Sequence, residues 1–289
     1  MRSPLYYQLT DRDMSSAKRH GFLRLALLAS LAASFTVCSL PSFAQTAAKG
    51  SQTAKAGFKN EDEIAAKFNN WTSDPDARRW LAAMSYGLDE IASVSARKPH
   101  GEKADVEIIV KTKAGTEKKE GVSIKLVSSP NGFNQIDKRW LRQYVKLWSM
   151  PKSVEDALKL FLGETPPSKP SRIANRMFLN EIDPAAQKAV VDFFTANKDR
   201  IVSDLIAGDG IHAAGWIMVA FKATENTRWT LKRTEAAAAF FGEGKVEITR
   251  AGNLKIGRVT MQRKGGDAGR ESAKMLQFKI NPALLIEKD

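Results

Sequence analysis

Two alternating apolar runs constrain this chain more than any other feature. Val106, Ile108 and Val110 follow Asp105 at a spacing of two, and Val122, Ile124 and Leu126 repeat the pattern. Such alternation marks strands with one buried face, so the spacing predicts strands over about 106–113 and 121–128. Asp105 leads the first run, and Ser123 and Lys125 share the other face of the second. Adjacent strands of this kind can hold a carboxylate and an ammonium near one phosphate. Phosphodiester hydrolysis needs that combination: a divalent metal on a carboxylate and a cation beside the attacking water.

Charge points the same way. The chain has 289 residues with a net charge of +13, a balance that favours a polyanionic partner such as nucleic acid or an anionic membrane surface. Its hydrophobic content of 43% is enough for one large domain or two small ones. Cys38 is the sole cysteine, so no internal disulfide forms, and with His20, His100 and His212 as the only histidines a Cys/His zinc cluster is excluded.

Residues 1–45 differ from the rest. Lys18, Arg19 and Arg24 precede an apolar stretch from Leu25 to Leu40, and Ser42-Phe43-Ala44 has small residues where a signal peptidase reads. The apolar stretch is short for a membrane-spanning helix. Two readings stay open: a secretory leader cleaved near Ala44-Gln45, or an over-extended start with the protein beginning near Gly50. Residues 46–56 read as a small-residue linker, and 57–289 as a single catalytic domain.

Helical periodicity predicts helices over Phe58–Trp71, with Asn60 as N-cap, and over Asp74–Leu88. The run Glu117-Lys118-Lys119-Glu120 reads as an exposed hairpin loop, and Ser129–Gly132 as a turn. Ile136–Trp148 reads as a helix whose basic face carries Lys138, Arg142 and Lys146, and Ser153–Leu162 and Pro184–Ile206 as further helices. Beyond them come strands at Trp216–Ala220 and Trp229–Leu231 and a helix at Glu235–Phe241. A hairpin of Val246–Thr249 with Lys255–Gln262 and a closing strand at Met275–Ile280 complete the chain. The segment Gly257–Arg270 concentrates glycines and cations. Glycines let a backbone approach phosphate, and arginine can read guanine through two hydrogen bonds.

The residues reach a resemblance at this point. The strand pair bearing Asp105 and Lys125 looks like the core of the PD-(D/E)XK nuclease superfamily. From about Gly50 onward the chain resembles type II restriction endonucleases of the HinP type, which cut double-stranded DNA at GCGC. The matching runs include Gly57–Glu61, Leu88–Ile91, Lys125–Ser128, Gly132–Lys138 with Trp140, Arg176–Phe178, Gly257–Thr260, Gln262–Asp267 and Met275–Ile280.

The resemblance implies an α/β (α+β) fold, a mixed β-sheet flanked by helices, and a Mg²⁺-dependent deoxyribonuclease. It implies Asp105 as metal ligand, Lys125 as catalytic lysine and Glu61 as the helix carboxylate that assists metal binding. Gln135, Lys138, Arg139, Arg142, Arg258, Gln262, Arg263, Lys264 and Asp267 are expected on the DNA side. Ser123 departs from the pattern, standing where the superfamily has Asp, Glu or Gln; a hydroxyl is a weaker metal ligand and carries no charge. Glu107 and Glu120 are the nearby acids placed to compensate. A catalytically impaired DNA-binding protein is the competing expectation, and an exported nuclease a third. The expected partner is double-stranded DNA, with a cytosine methyltransferase as genetic companion and no membrane. Cutting both strands of a palindrome takes two active sites or one that acts twice, so a homodimer is one arrangement. Such an enzyme acts in the cytoplasm, whereas the leader implies the periplasm or secretion.

Overall fold

The strand carrying Ser123 and Lys125 is the pivot of the architecture. In the computed structural model, which describes residues 43–99, 103–208, 213–223, 227–266 and 270–286, this strand sits at the centre of a five-stranded mixed sheet. Helices α1 (Phe43–Asn69) and α2 (Pro75–Ala83) precede strands β1 (Ile91–Arg97), β2 (Val106–Thr112), β3 (Glu117–Val127) and β4 (Asn134–Arg139). Then follow α3 (Leu141–Trp148), α4 (Lys152–Leu162), α5 (Pro184–Ala196), α6 (Lys198–Ala207), β5 (Trp216–Phe221), β6 (Arg228–Arg233) and α7 (Thr234–Gly242). Strands β7 (Val246–Ile248), β8 (Leu254–Ile256), β9 (Val259–Arg263) and β10 (Leu276–Ile280) close the described chain.

The first sheet runs β1-β2-β3-β5-β6, with β3 parallel to β5 and antiparallel to β2; the second is antiparallel, in the order β4-β10-β9-β8-β7. Strand β5 is buried along its whole length because both its faces are covered. Trp216 and Met218 join Ile64, Phe68, Trp80 and Leu81 beneath α1 and α2. Ile217, Val219 and Phe221 face a larger core that includes Tyr144, Trp148 and Phe278. Ser123 pairs with Ile217 and Lys125 with Val219, so this serine and lysine look toward the larger core, where the second sheet contributes Met261 and Phe278.

Helix starts follow the chain's local chemistry. Asp74 caps α2 by accepting from the Asp76 and Ala77 amides, with Pro75 at the first helical position, and Asp183-Pro184 starts α5 the same way. Among the described residues no helix is long and apolar enough to cross a membrane.

Several expectations are corrected. Residues 46–56 are not a linker but part of α1. Asn60 lies inside that helix instead of capping it, 2% exposed, with no side-chain partner among the described residues. Helix α2 stops at Ala83, short of Leu88. The charged run 117–120 belongs to β3, extending the hairpin with β2; a Lys111–Glu117 ion pair of 3.0 Å spans the pair, and charge is tolerated because this end is exposed. Ile136–Arg139 is strand, not helix, because β10 supplies a pairing partner and tertiary pairing overrides helical periodicity. Lys138 therefore leaves the helical basic face, and only Arg142 and Lys146 remain on α3. The predicted long helix breaks at Asn197, whose side chain donates to the Phe193 carbonyl and ends α5. Strand β1 escaped the sequence reading because only Ile91 and Val94 in it are buried.

The predicted strand 255–262 splits into β8 and β9 at Gly257, which has φ +58°. A Cβ there would lie 2.6 Å from the Gly242 carbonyl oxygen. Gly257→Ala is therefore expected to cost about 1–3 kcal/mol through backbone strain. Denaturant unfolding measures it, and a loss below about 0.5 kcal/mol would refute the account.

Candidate active site

Asp105 stands immediately before β2, where its amide donates to the Val122 carbonyl at 2.9 Å and sets it opposite the middle of β3. Its Oδ2 accepts the Ile124 amide at 2.6 Å and the Ser123 hydroxyl at 3.3 Å. Lys125 Nζ lies 3.8 Å from the same oxygen and donates to Ser123 Oγ at 3.0 Å and to the Ile124 carbonyl at 3.2 Å. Ser123, only 2% exposed, thus accepts from the ammonium and donates to the carboxylate. It links the pair without adding a charge.

Glu61 reaches this group from α1. Burial pushes its carboxyl above the usual range, and the nearby Asp105 carboxylate pushes it further; Lys98, at 3.2 Å, and Lys125 pull the other way and lose. Two acids that crowd one another make a place where a cation is favourable. The donors are all oxygen, as a hard cation prefers. Among the described residues the side-chain contacts of Asp105 fall on Oδ2, leaving Oδ1 for such an ion. Among the described residues no three His, Cys, Asp or Glu side chains form a closed cage. A resident ion would accordingly take its remaining ligands from backbone carbonyl, water or phosphate.

The two acids expected to compensate for Ser123 are committed elsewhere. Glu107 pairs with Arg97 at 2.7 Å, and Glu120 accepts from Tyr86 at 2.7 Å and from Trp216 at 2.8 Å.

The second sheet gathers part of the expected DNA-facing set. Lys138, Gln277 and Gln262 lie side by side across β4, β10 and β9, and Gln277 donates to Gln135 Oε1 at 2.8 Å. Gln277 was not singled out from the sequence; it is itself buried, and its polar side chain between Leu276 and Phe278 joins this row through the bond to Gln135. Phe133, 57% exposed, stands two residues before Gln135. Arg142 projects from α3 over the Trp140 ring, with its guanidinium 5.8 Å from the ring centre.

Other expected residues are placed differently. Arg139 grips Asp137 through two 3.0 Å bonds. Arg258 is anchored at the end of α7, 2.6 Å from Glu243 and stacked on Phe240, apart from the polar row. Arg263 ends β9, and its Nε has no acceptor among the described residues; nor has that of Arg176. Burial, reinforced by the charge of Arg263, lowers Arg176 to about 10. The Lys264 amide donates to the Met275 carbonyl at 2.9 Å. Asp267 lies outside the described residues, as do Cys38, the three histidines and nearly all of the leader-like segment.

A mixed sheet flanked by helices, with a carboxylate at the head of one strand, a lysine on the next and a helix glutamate beside them, is the arrangement expected of the type II restriction endonuclease class. The comparisons agree. The fold resembles the crystal structure of the restriction endonuclease MspI in complex with its cognate DNA, with a TM-score of 0.55, 14% identity, and 76% of this chain and 87% of that one covered. The family model for the R.HinP1I restriction endonuclease matches residues 84–286, and the chain belongs to that family. No curated protein sequence gives a significant match.

Proposed function

We propose that this endonuclease is Mg²⁺-dependent and cuts double-stranded DNA at GCGC. The observation that carries the reading is the pairing of Asp105 and Lys125 through Ser123, with Glu61 close enough to feel both charges. A divalent cation held by Asp105 and Glu61 would supply Lewis-acid stabilisation of charge on the scissile phosphate. Lys125 orients a water for attack on phosphorus and offsets the charge that builds on the phosphoryl oxygens. Ser123 fixes the ammonium, and the Ile124 amide fixes Asp105.

Recognition falls to the polar face of the second sheet, with Gln135, Lys138 and Gln262 facing base edges or phosphate and Arg142 following the backbone. The neighbour's complex with its cognate DNA supports DNA as the partner. Protection of the host's own sites assigns a cytosine methyltransferase to the same system and places the enzyme in the cytoplasm.

Purified protein incubated with plasmid and Mg²⁺ is expected to produce fragments whose ends map to GCGC. Fragmentation at other sequences would refute the specificity. Salt-dependent DNA binding without any cutting would instead favour a fold disabled at Ser123.

A further inference from the structure

We propose that Lys103 and Asn134 are positioning residues that couple base recognition at Gln135 to the spacing of Asp105 and Lys125. The proposal rests on the DNA-cutting reading above. Gln135 lies on β4, in the second sheet, whereas Asp105 and Lys125 belong to the first. Two short hydrogen bonds link β4 to the segments that carry the catalytic pair, one from Asn134 to β3 and one from Lys103 just ahead of β2, and they flank Gln135. On one side Asn134 Nδ2 donates to the Leu126 carbonyl at 2.8 Å, directly after Lys125. On the other, Lys103 Nζ donates to the Ile136 carbonyl at 2.7 Å, and Lys103 precedes Asp105 by two residues. Each strut therefore ends beside one member of the catalytic pair.

The Lys103 strut is braced. Its ammonium also donates to the Leu205 carbonyl in α6 at 2.6 Å and lies 3.7 Å from Asp137 Oδ2. Asp137 is gripped in turn by Arg139 and by the Tyr144 hydroxyl. Gln135 has its own brace in the bond from Gln277. A buried lysine costs stability that an apolar side chain would not, and burial lowers Lys103 to about 8. What the lysine provides here is reach, because its four-carbon stem spans from the approach to Asp105 across to β4.

The catalytic pair is set to respond. At 3.8 Å, Lys125 and Asp105 stand beyond hydrogen-bond distance, with the ammonium held by Ser123. A small shift of β4 on engaging its correct bases is passed through bonds of 2.7 and 2.8 Å to both members of the pair. Misplacement on the scale of 1 Å is enough to change rates about a hundredfold.

The test compares Lys103→Met and Asn134→Ala with wild type, measuring single-turnover cleavage of GCGC and of single-base variants, and DNA affinity in Ca²⁺. Each variant is expected to cut GCGC about ten- to a hundredfold more slowly. Its affinity should stay within about threefold, and its preference for GCGC over the variant sites should shrink by about tenfold or more. Lys103→Arg, which keeps a charged donor, should recover part of that preference. A merely structural role would lower the melting temperature and scale all sites equally. Asn134→Ala removes one hydrogen bond from a half-buried side chain and decides the matter if Lys103→Met fails to fold. Unchanged discrimination in a folded variant, or a loss accounted for by affinity alone, overturns the proposal while leaving the nuclease reading intact. A wild-type protein that cuts no DNA overturns both.

Discussion

Lys125→Ala is expected to reduce cleavage by at least about 10²–10³-fold, the loss that accompanies removal of a preorganised charge-stabilising donor. DNA affinity measured in Ca²⁺ should change little, because Lys125 is 14% exposed and its ammonium is turned inward to Ser123 and the Ile124 carbonyl. The substitution also removes the weaker of the two cations that restrain Glu61, Lys98 being the stronger, so that carboxyl should move slightly further upward. Steady-state and single-turnover cleavage, run beside a binding titration, separates the two effects. A Lys125→Ala protein that cuts at the wild-type rate would show that the catalytic role lies elsewhere. Lys125→Arg is not a neutral control, because a planar fork does not fit the space in which one ammonium meets a hydroxyl and a carbonyl.

Asp105→Asn should be as damaging for a different reason. It retains the shape that accepts the Ile124 amide and removes the charge that a cation requires. Wild-type protein is expected to melt at a higher temperature in millimolar Mg²⁺ or Ca²⁺ than without them, since a ligand bound only to the native state stabilises it. Asp105→Asn should lose that increment together with activity.

The pH dependence has a definite sign. Without metal, Glu61 is held above its ordinary pKa, so the native state binds its proton more tightly than the unfolded chain does. The Glu61 contribution to stability therefore rises as pH falls through that raised value. Cation binding needs the ionised form, so the increment from Mg²⁺ should fade over the same interval. A metal increment that persists in Asp105→Asn, or that grows on acidification, would remove Asp105 and Glu61 as ligands.

What could be read in advance follows from where the information sits. The Asp105 and Lys125 strands were legible because their apolar residues alternate, and Val106, Ile108, Val110, Val122 and Ile124 all enter the core beneath α1 and α2, although the opposite face is covered as well. Strand β4 was not. Ile136 continues without interruption into the periodic Trp140–Trp148 segment, and only pairing with β10, far along the chain, makes Asn134–Arg139 extended. The break between β8 and β9 was hidden for a related reason: Gly257 is needed where the chain passes the Gly242 carbonyl, a neighbour known only after folding. Lys103 gave no signal because its partners are backbone carbonyls, which every residue type possesses. Ser123 and Lys125 were legible on one face of their alternating strand and Glu61 only by resemblance, and the structure adds the reason Ser123 suits its position: a buried hydroxyl serves both neighbours without adding charge.

The parallel pairing of β3 with β5 has a consequence for how the molecule is made. Val122 is joined to Trp216, with β4 and four helices intervening in the chain, so this contact closes a long loop and carries a correspondingly large entropic cost. On a ribosome, residues 105–125 emerge as a hairpin well before the strand that covers their other edge. Until β5 docks, Ser123 and Lys125 lack Ile217 and Val219 beside them, and the edge of β3 that β5 will cover is unpaired. Burial of the cutting site is thereby tied to completion of nearly the whole domain, although the contacts among Asp105, Ser123, Ile124 and Lys125 are local to the hairpin.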